Sequence, residues 1–274
     1  MKGALYIVST PIGNLEDFTL RALRVLKEVD VIAAEDTRHS RKLLTHYGIS
    51  KPLISYWSES EKTKTSDILK RLHSGQSVAL ISDAGTPGIS DPGAILIRKA
   101  IEENIRVISI PGPSALIAAL SISGLRAEEF IFVGFLPTKK SQRRKVLEEL
   151  KLEPKTLVFY EAPHRILDTL SDMEEIFAER MAAVIKEITK IHEEVLRGGI
   201  PELRSILEKT VISGEYVIIL EGKTARERPT TNDIILEIRS LMKKGLGRKE
   251  AVKKIAEAYG LSKKELYDKS LAGN

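Results

Sequence analysis

The stretch ISDAGTPGISDPG, Ile81 to Gly93, constrains this chain more than any other segment. An apolar run, SVALIS, leads straight into it, so a buried-looking strand ends where glycines and prolines begin. Gly85 and Gly88 permit backbone angles that side chains oppose, and Pro87 and Pro92 stiffen the loop. Such a loop is either a tight corner between a strand and a helix or a place where bare backbone meets a ligand. Two more loops share the pattern. STPIGNLEDFT follows ALYIV, and PGPSA, with Pro111 and Pro113, follows RVISI and opens a helix. In a parallel sheet the carboxyl ends of the strands lie on one edge, where ligands settle. Three such loops on one edge favour a ligand site over three unrelated corners.

The rest of the chain supplies that sheet. ALYIVS, DVIAAE, LISYW, SVALIS and RVISI read as strands, with helical spacing over 18–28, 38–46, 64–72 and 94–103 between them. This alternation predicts an α/β domain over residues 1–117. A second α/β domain, over 118–223, is predicted from FIFVGFL, TLVFYE, AAVIKEI and EYVIIL, with HEEVLRGG as a further strand. Helical patterns at 143–150, 164–177 and 201–209 complete it, and its sheet is expected to be mixed. GKTARERPTTND reads as a linker into a small helical appendage, 224–274. Gly245 and Gly260 are suitable helix stops there, and Ser262 with Glu265 fits a capping box.

Composition closes several routes. The chain has no cysteine, so disulfides, cysteine–zinc sites and cysteine nucleophiles are excluded. Apolar residues make up 42%, and no apolar run approaches the ~20 residues of a membrane span. The amino-terminal run reads as a first strand and not as a signal peptide, and the expected location is cytoplasmic. Neither G-x-G-x-x-G opening a helix nor G-x-x-x-x-G-K-[ST] occurs, which weakens any nucleotide bound through its pyrophosphate. The net charge of +5 resides wholly in residues 224–274, which hold 12 basic and 7 acidic side chains. A neutral body with a basic tail fits a polyanionic partner or a solvated helical surface.

VSTPIGNLEDFTLRAL, EDTRHSRKLL, ISDAGTPGISDPG, IPGPSALIAAL, GFLPTKKSQR, FYEAPHRI and KEITKIHEEVLRG occur in order between residue 4 and about residue 222. Together they resemble the small-subunit ribosomal RNA methyltransferase I family of the tetrapyrrole-methylase-like superfamily. The resemblance implies two α/β domains with S-adenosylmethionine in the cleft between them. It implies methylation of a cytidine ribose 2′-hydroxyl in 16S ribosomal RNA, and a homodimer. It assigns the cofactor to Pro11, Gly13, Ser82, Asp83, Ala84, Gly85, Thr86, Ile89, Ser114 and Ala115. Backbone near Phe135, Val184 to Lys186 and Tyr216 to Val217 would cover the adenine. A tetrapyrrole or protein methylase of the same superfamily, and a non-catalytic RNA-binding module, are the competing readings.

Methyl transfer from a sulfonium to an oxygen asks a protein for alignment, and for help with the hydroxyl proton. No metal is expected. His164 and His192 have no third ligand spaced with them. Glu161 and Glu187 are the candidate bases, with Lys186 as a cation for the developing alkoxide. Strand alternation would put Lys186, Ile188 and Lys190 on one face, opposite Glu187 and Thr189. For RNA phosphates, the candidates are Lys139, Lys140, Arg143, Arg144 and Lys145 of KKSQRRK, with Arg38 and Arg165. Tyr56, Trp57 and Tyr160 could stack a base or simply pack at strand ends.

Overall fold

The computed structural model describes residues 2–177, 180–223, 231–243, 246–259 and 261–271. The residues form two compact units, Met1–Gly222 and Lys223–Asn274.

The first unit contains two five-stranded sheets. The first is built from β1 (Ala4–Val8), β2 (Val31–Ala34), β3 (Leu53–Ser55), β4 (Val78–Ile81) and β5 (Arg106–Ile110). Its order is β3-β2-β4-β1-β5 and every pairing is parallel. All residues of β2 and β4 are buried, as expected for central strands covered on both faces. The covering helices are α1 (Leu20–Glu28), α2 (Thr37–His46), α3 (Glu61–His73) and α4 (Ala94–Glu102). Thr19 caps α1 by accepting from Ala22 N, and Asp36 caps α2 by accepting from Arg38 N and His39 N. Apolar side chains fill both layers: Leu5, Ile68, Leu72 and Leu96 on one face, Leu26, Ile32, Leu44 and Ile110 on the other.

The second sheet runs β6 (Phe130–Phe135), β7 (Thr156–Glu161), β10 (Tyr216–Leu220), β8 (Met181–Lys186), β9 (Glu194–Gly199). It is mixed, as the sequence predicts: β6 and β7 are parallel and the other pairs antiparallel. Between Phe132 and Gly134 the pairing of β6 shifts register at a bulge. One face packs on α6 (Lys140–Glu149), α7 (Ile166–Phe177) and α8 (Ile200–Leu207) through Leu147, Phe159, Leu170, Met173 and Leu203.

The other face packs on α5 (Ala115–Ile122), whose Ala119 and Leu120 join Val158, Ala183, Ile185 and Val217. A boundary at residue 117 therefore falls inside a helix. α5 follows the first sheet in sequence but lies on the second. Tyr160 Oη accepts from Leu116 N at 3.0 Å at its start. Arg197 donates to Ser123 O at 3.0 Å, and to Ile122 O, at its end.

The second unit holds α9 (Thr231–Lys243), α10 (Arg248–Tyr259) and α11 (Lys263–Leu271). They close a small core of Ile234, Ile238, Ala251, Val252, Ile255 and Leu266. The linker at 224–230, the glycines at 245 and 260 and the side chain of Glu265 lie outside the described residues. Among the described residues no helix is long and apolar enough to cross a membrane.

Candidate active site

Parallel pairing puts the carboxyl ends of β1, β2, β4 and β5 on one edge. Because β1 lies between β4 and β5, the loops Ser9–Gly13, Ser82–Gly93 and Pro111–Ser114 are neighbours. They are knitted together. Thr10 and Gly85 exchange backbone hydrogen bonds of 2.9 and 3.1 Å. Thr10 Oγ1 donates to Ser82 O at 3.1 Å, and the Ser9 and Thr86 hydroxyls are 2.8 Å apart. A Cβ on Gly112 would stand 2.9 Å from Ser9 Cβ. The glycine spacing of the long loop now has its reason. Gly88 has φ +81° and Gly93 φ +145°, and a Cβ on Gly93 would come within 3.1 Å of Gly88 N. The loop closes on itself backbone to backbone, which side chains would prevent.

This edge concentrates carboxylates. Asp83 Oδ1 accepts from Asp36 N at 3.1 Å, tying the β4 loop to the β2 loop. Burial raises the Glu35 carboxyl above its usual range, and Asp91 and Asp83 add to the effect. Burial likewise raises Asp91, helped by Asp83 and opposed by the Ser82 hydroxyl. Burial also raises the Tyr160 phenol, with a smaller contribution from Asp91. A cation would relieve these crowded, desolvated carboxylates. A carboxyl whose folded pKa exceeds its unfolded value binds its proton more tightly when folded. Its stability contribution is therefore full at low pH and is lost as pH rises from the unfolded to the folded value. Asp91→Asn is expected to raise the Tm of the ligand-free protein by a few degrees at about pH 7, with the gain vanishing below about pH 4. Thermal melts across that range check this, and a pH-independent difference would contradict it.

The second half closes the cleft. Tyr160 stacks edge-on to Phe132 and Phe135, with ring centroids 4.9 and 5.6 Å away. At the β6 bulge, Gly134 has φ +74°, and a Cβ there would lie 4.0 Å from Ser90 Oγ. The turn after β8 docks on the first loop: Thr189 Oγ1 donates to Asp17, and the Lys190 stem lies so close over Gly13 that a Cβ there would be 2.4 Å from Lys190 Cγ. A cavity of about 440 Å³ lies between them, lined by Ile12, Asp17, Pro113, Ser114, Ile122 and Thr189 among others.

Of the cofactor candidates Ser114 lines this cavity; the others lie in the neighbouring loops and at the start of α5, where several hydroxyls serve the loops themselves. Pro11 and Gly13 lie in the first loop. Ser82 is buried and donates to Ala84 O, while Thr86 faces Ser9. Asp83, Ala84, Gly85 and Ile89 share the long loop. Ser114 caps α5 by accepting from Ile117 N, with Ala115 beside it. Val217 and Ile185 face α5, whereas Tyr216 and Val184 belong to the opposite core.

The base candidates do not fit their roles. Glu161 is 2% exposed, on the face away from Tyr160. It accepts from Thr169 Oγ1 at 2.6 Å and Ala162 N at 2.9 Å, and lies 3.4 Å from Arg165 Nε. Glu187 is held below the usual carboxylate range by its hydrogen bond from Lys190, which makes it a weaker base. Strand alternation also fails at this point. β8 ends at Lys186, and Glu187 and Thr189 adopt φ of +51° and +67°, turning the chain. Lys186 donates to Val211 O at 3.2 Å.

The RNA candidates divide. Arg143 is buried and donates from Nε to Asp172 Oδ2 at 2.7 Å. Arg144 pairs with Asp172 and Glu175, and Arg165 donates to Leu136 O and Pro137 O. Lys139, Lys140 and Lys145 are exposed, with Lys140 3.8 Å from Asp172. The Arg38 side chain is 91% exposed beside Asp36. Tyr56 is buried against Thr65, and Trp57 is half exposed. No sequence pattern signals the docking contacts of Lys190 and Thr189. Asp91 stands in the long loop, but nothing in its sequence neighbourhood assigns it a role.

The sequence profile of the tetrapyrrole (corrin/porphyrin) methylases matches residues 4–204. The chain is 47% identical over 272 residues to ribosomal RNA small subunit methyltransferase I of a Synechocystis species, covering 98% of each. It is 45% identical to the protein of the same name from Halalkalibacterium halodurans, covering 97% of this chain and 94% of the other. The chain belongs to the ribosomal RNA small subunit methyltransferase I family. Its fold is that of the tetrapyrrole methylases. Uroporphyrin-III C-methyltransferase from Thermus thermophilus, solved in complex with S-adenyl homocysteine, matches at a TM-score of 0.56 and 20% identity. That match covers 82% of this chain and 99% of the other.

Proposed function

We propose that this methyltransferase methylates the ribose 2′-hydroxyl of a cytidine in small-subunit ribosomal RNA. The observation that carries the reading is identity of 45–47% over nearly the whole length to proteins named as methyltransferases of small-subunit ribosomal RNA, and the cytidine 2′-hydroxyl is what the sequence resemblance implies. S-adenosylmethionine is the methyl donor and supplies a methyl group already activated by a positive sulfur. The crowded carboxylates fit a cationic ligand. The loops at Pro11–Gly13, Ser82–Ile89 and Ser114–Ala115 would hold it. Those rigid, mutually bonded loops orient the reacting partners, which is the larger share of the task. Of the carboxylates, Asp91 and Glu35 are the ones made more basic by their surroundings, and Asp91 is our choice to take the hydroxyl proton. Lys139 and Lys145 remain available to RNA phosphates, and Lys140, exposed beside Asp172, could turn to them. The reading includes a cytoplasmic homodimer, and sedimentation as a monomer at micromolar concentration would remove the dimer.

The test incubates labelled S-adenosylmethionine with small ribosomal subunits lacking the modification, then maps the label. An alkali-resistant linkage after one cytidine is the expected result, because a methylated 2′-oxygen cannot attack the neighbouring phosphate. Label on a base, a protein or a tetrapyrrole would overturn the reading.

A further inference from the structure

The helical unit carries a cavity of about 300 Å³ between α10 and α11, lined by Lys249, Val252, Lys253, Lys263, Lys264 and Tyr267. All four lysines are exposed, Val252 is buried beneath them, and Tyr267 is half-buried against the small core. Four lysines of two helices converge on this hollow. Lys249 and Lys253 are one turn apart on α10, where like charges repel. Lys263 and Lys264 open α11, at the end where the helix dipole is already positive. The aromatic residue Tyr267 lines the same hollow as these lysines. Lysines that track phosphates around a ring that stacks a base form the usual recognition set for single-stranded nucleic acid.

We infer that this hollow is a binding site for a single-stranded RNA segment, with phosphates on Lys249, Lys253 and Lys264 and one base against Tyr267. The inference rests on the ribosomal RNA reading for its choice of nucleic acid. It also gives residues 224–274, which carry the whole excess of +5 charges, a specific docking role. Phosphate contacts of this kind add affinity and orientation, not sequence choice.

The test uses the full-length chain and a fluorescein-labelled oligouridylate of about twelve nucleotides, within the site sizes known for stacking platforms. Anisotropy is measured over a range of salt concentrations. The variant Lys249→Gln/Lys253→Gln/Lys264→Gln should bind more weakly, with the slope of log affinity against log salt reduced by about 2. Its affinity for S-adenosylmethionine should match that of the parent. Tyr267→Ala should weaken oligouridylate binding by roughly 5- to 150-fold. Tyr267→Phe keeps the ring and should bind like the parent, which separates stacking from folding. An unchanged slope in the lysine variant, or a parent chain that does not bind the oligonucleotide, overturns the inference. If the parent methylates no ribosomal RNA while the lysine variant still loses slope, the site stands and the proposed substrate falls. If methylation proceeds and the slope is unchanged, only the site falls.

Discussion

Asp172→Asn is expected to destabilise the protein by about 3–5 kcal/mol, the usual result of removing one partner from a buried ion pair. Asp172 is fully buried, and its carboxylate is the anchor for Arg143 at 2.7 Å, Arg144 at 3.3 Å and Lys140 at 3.8 Å. Arg143 is itself buried, so the variant would leave a guanidinium away from water without a counter-charge. Urea unfolding monitored by circular dichroism measures the loss. Adding Arg143→Met should restore much of it, since an apolar pair tolerates burial where a lone charge does not. A loss under about 1 kcal/mol, the range of exposed pairs, would show that water reaches the network.

Asp83→Ala is expected to weaken S-adenosylmethionine binding by about 10- to 150-fold, the range for loss of a charged hydrogen-bonding partner. Asp83 joins the β4 loop to the β2 loop through Asp36 N, so alanine also frees that amide. Asp83→Asn retains an acceptor for the amide while removing the charge. Calorimetry on both variants separates the effects. Recovery with asparagine would assign Asp83 to loop geometry, equal loss in both would assign it to the ligand's charge, and no loss in either would remove it from the site.

The strands and loops were legible because their physics is local. Buried parallel strands read as apolar runs, and Gly85, Gly88 and Gly93 mark backbone that must turn where side chains cannot. What escaped the sequence is long-range partnership. KKSQRRK reads as a basic face, yet the helix turns Arg143 inward because Asp172 waits on a helix some thirty residues later. Glu161 looks like a polar residue at a strand end, and only the observed packing puts it on the face covered by α7, bonded to Thr169. Lys190 and Glu187 read as opposite faces of a strand because nothing local announces the left-handed turn at Glu187. Asp91 was visible as a letter, but its raised proton affinity depends on burial and on Asp83.

α5 has a mechanical consequence. The helix leaves the first sheet through the Pro111–Ser114 segment and is fastened at both ends to the second, by Tyr160 and by Arg197. The segment is thus the short strap of a buckle, stiffened by two prolines. Any rotation that parted the sheets while both fastenings held would draw Gly112 away from Ser9 and Pro113 away from Gly85. The mouth of the cleft and the grip on its contents would therefore move together, so that opening the one loosens the other.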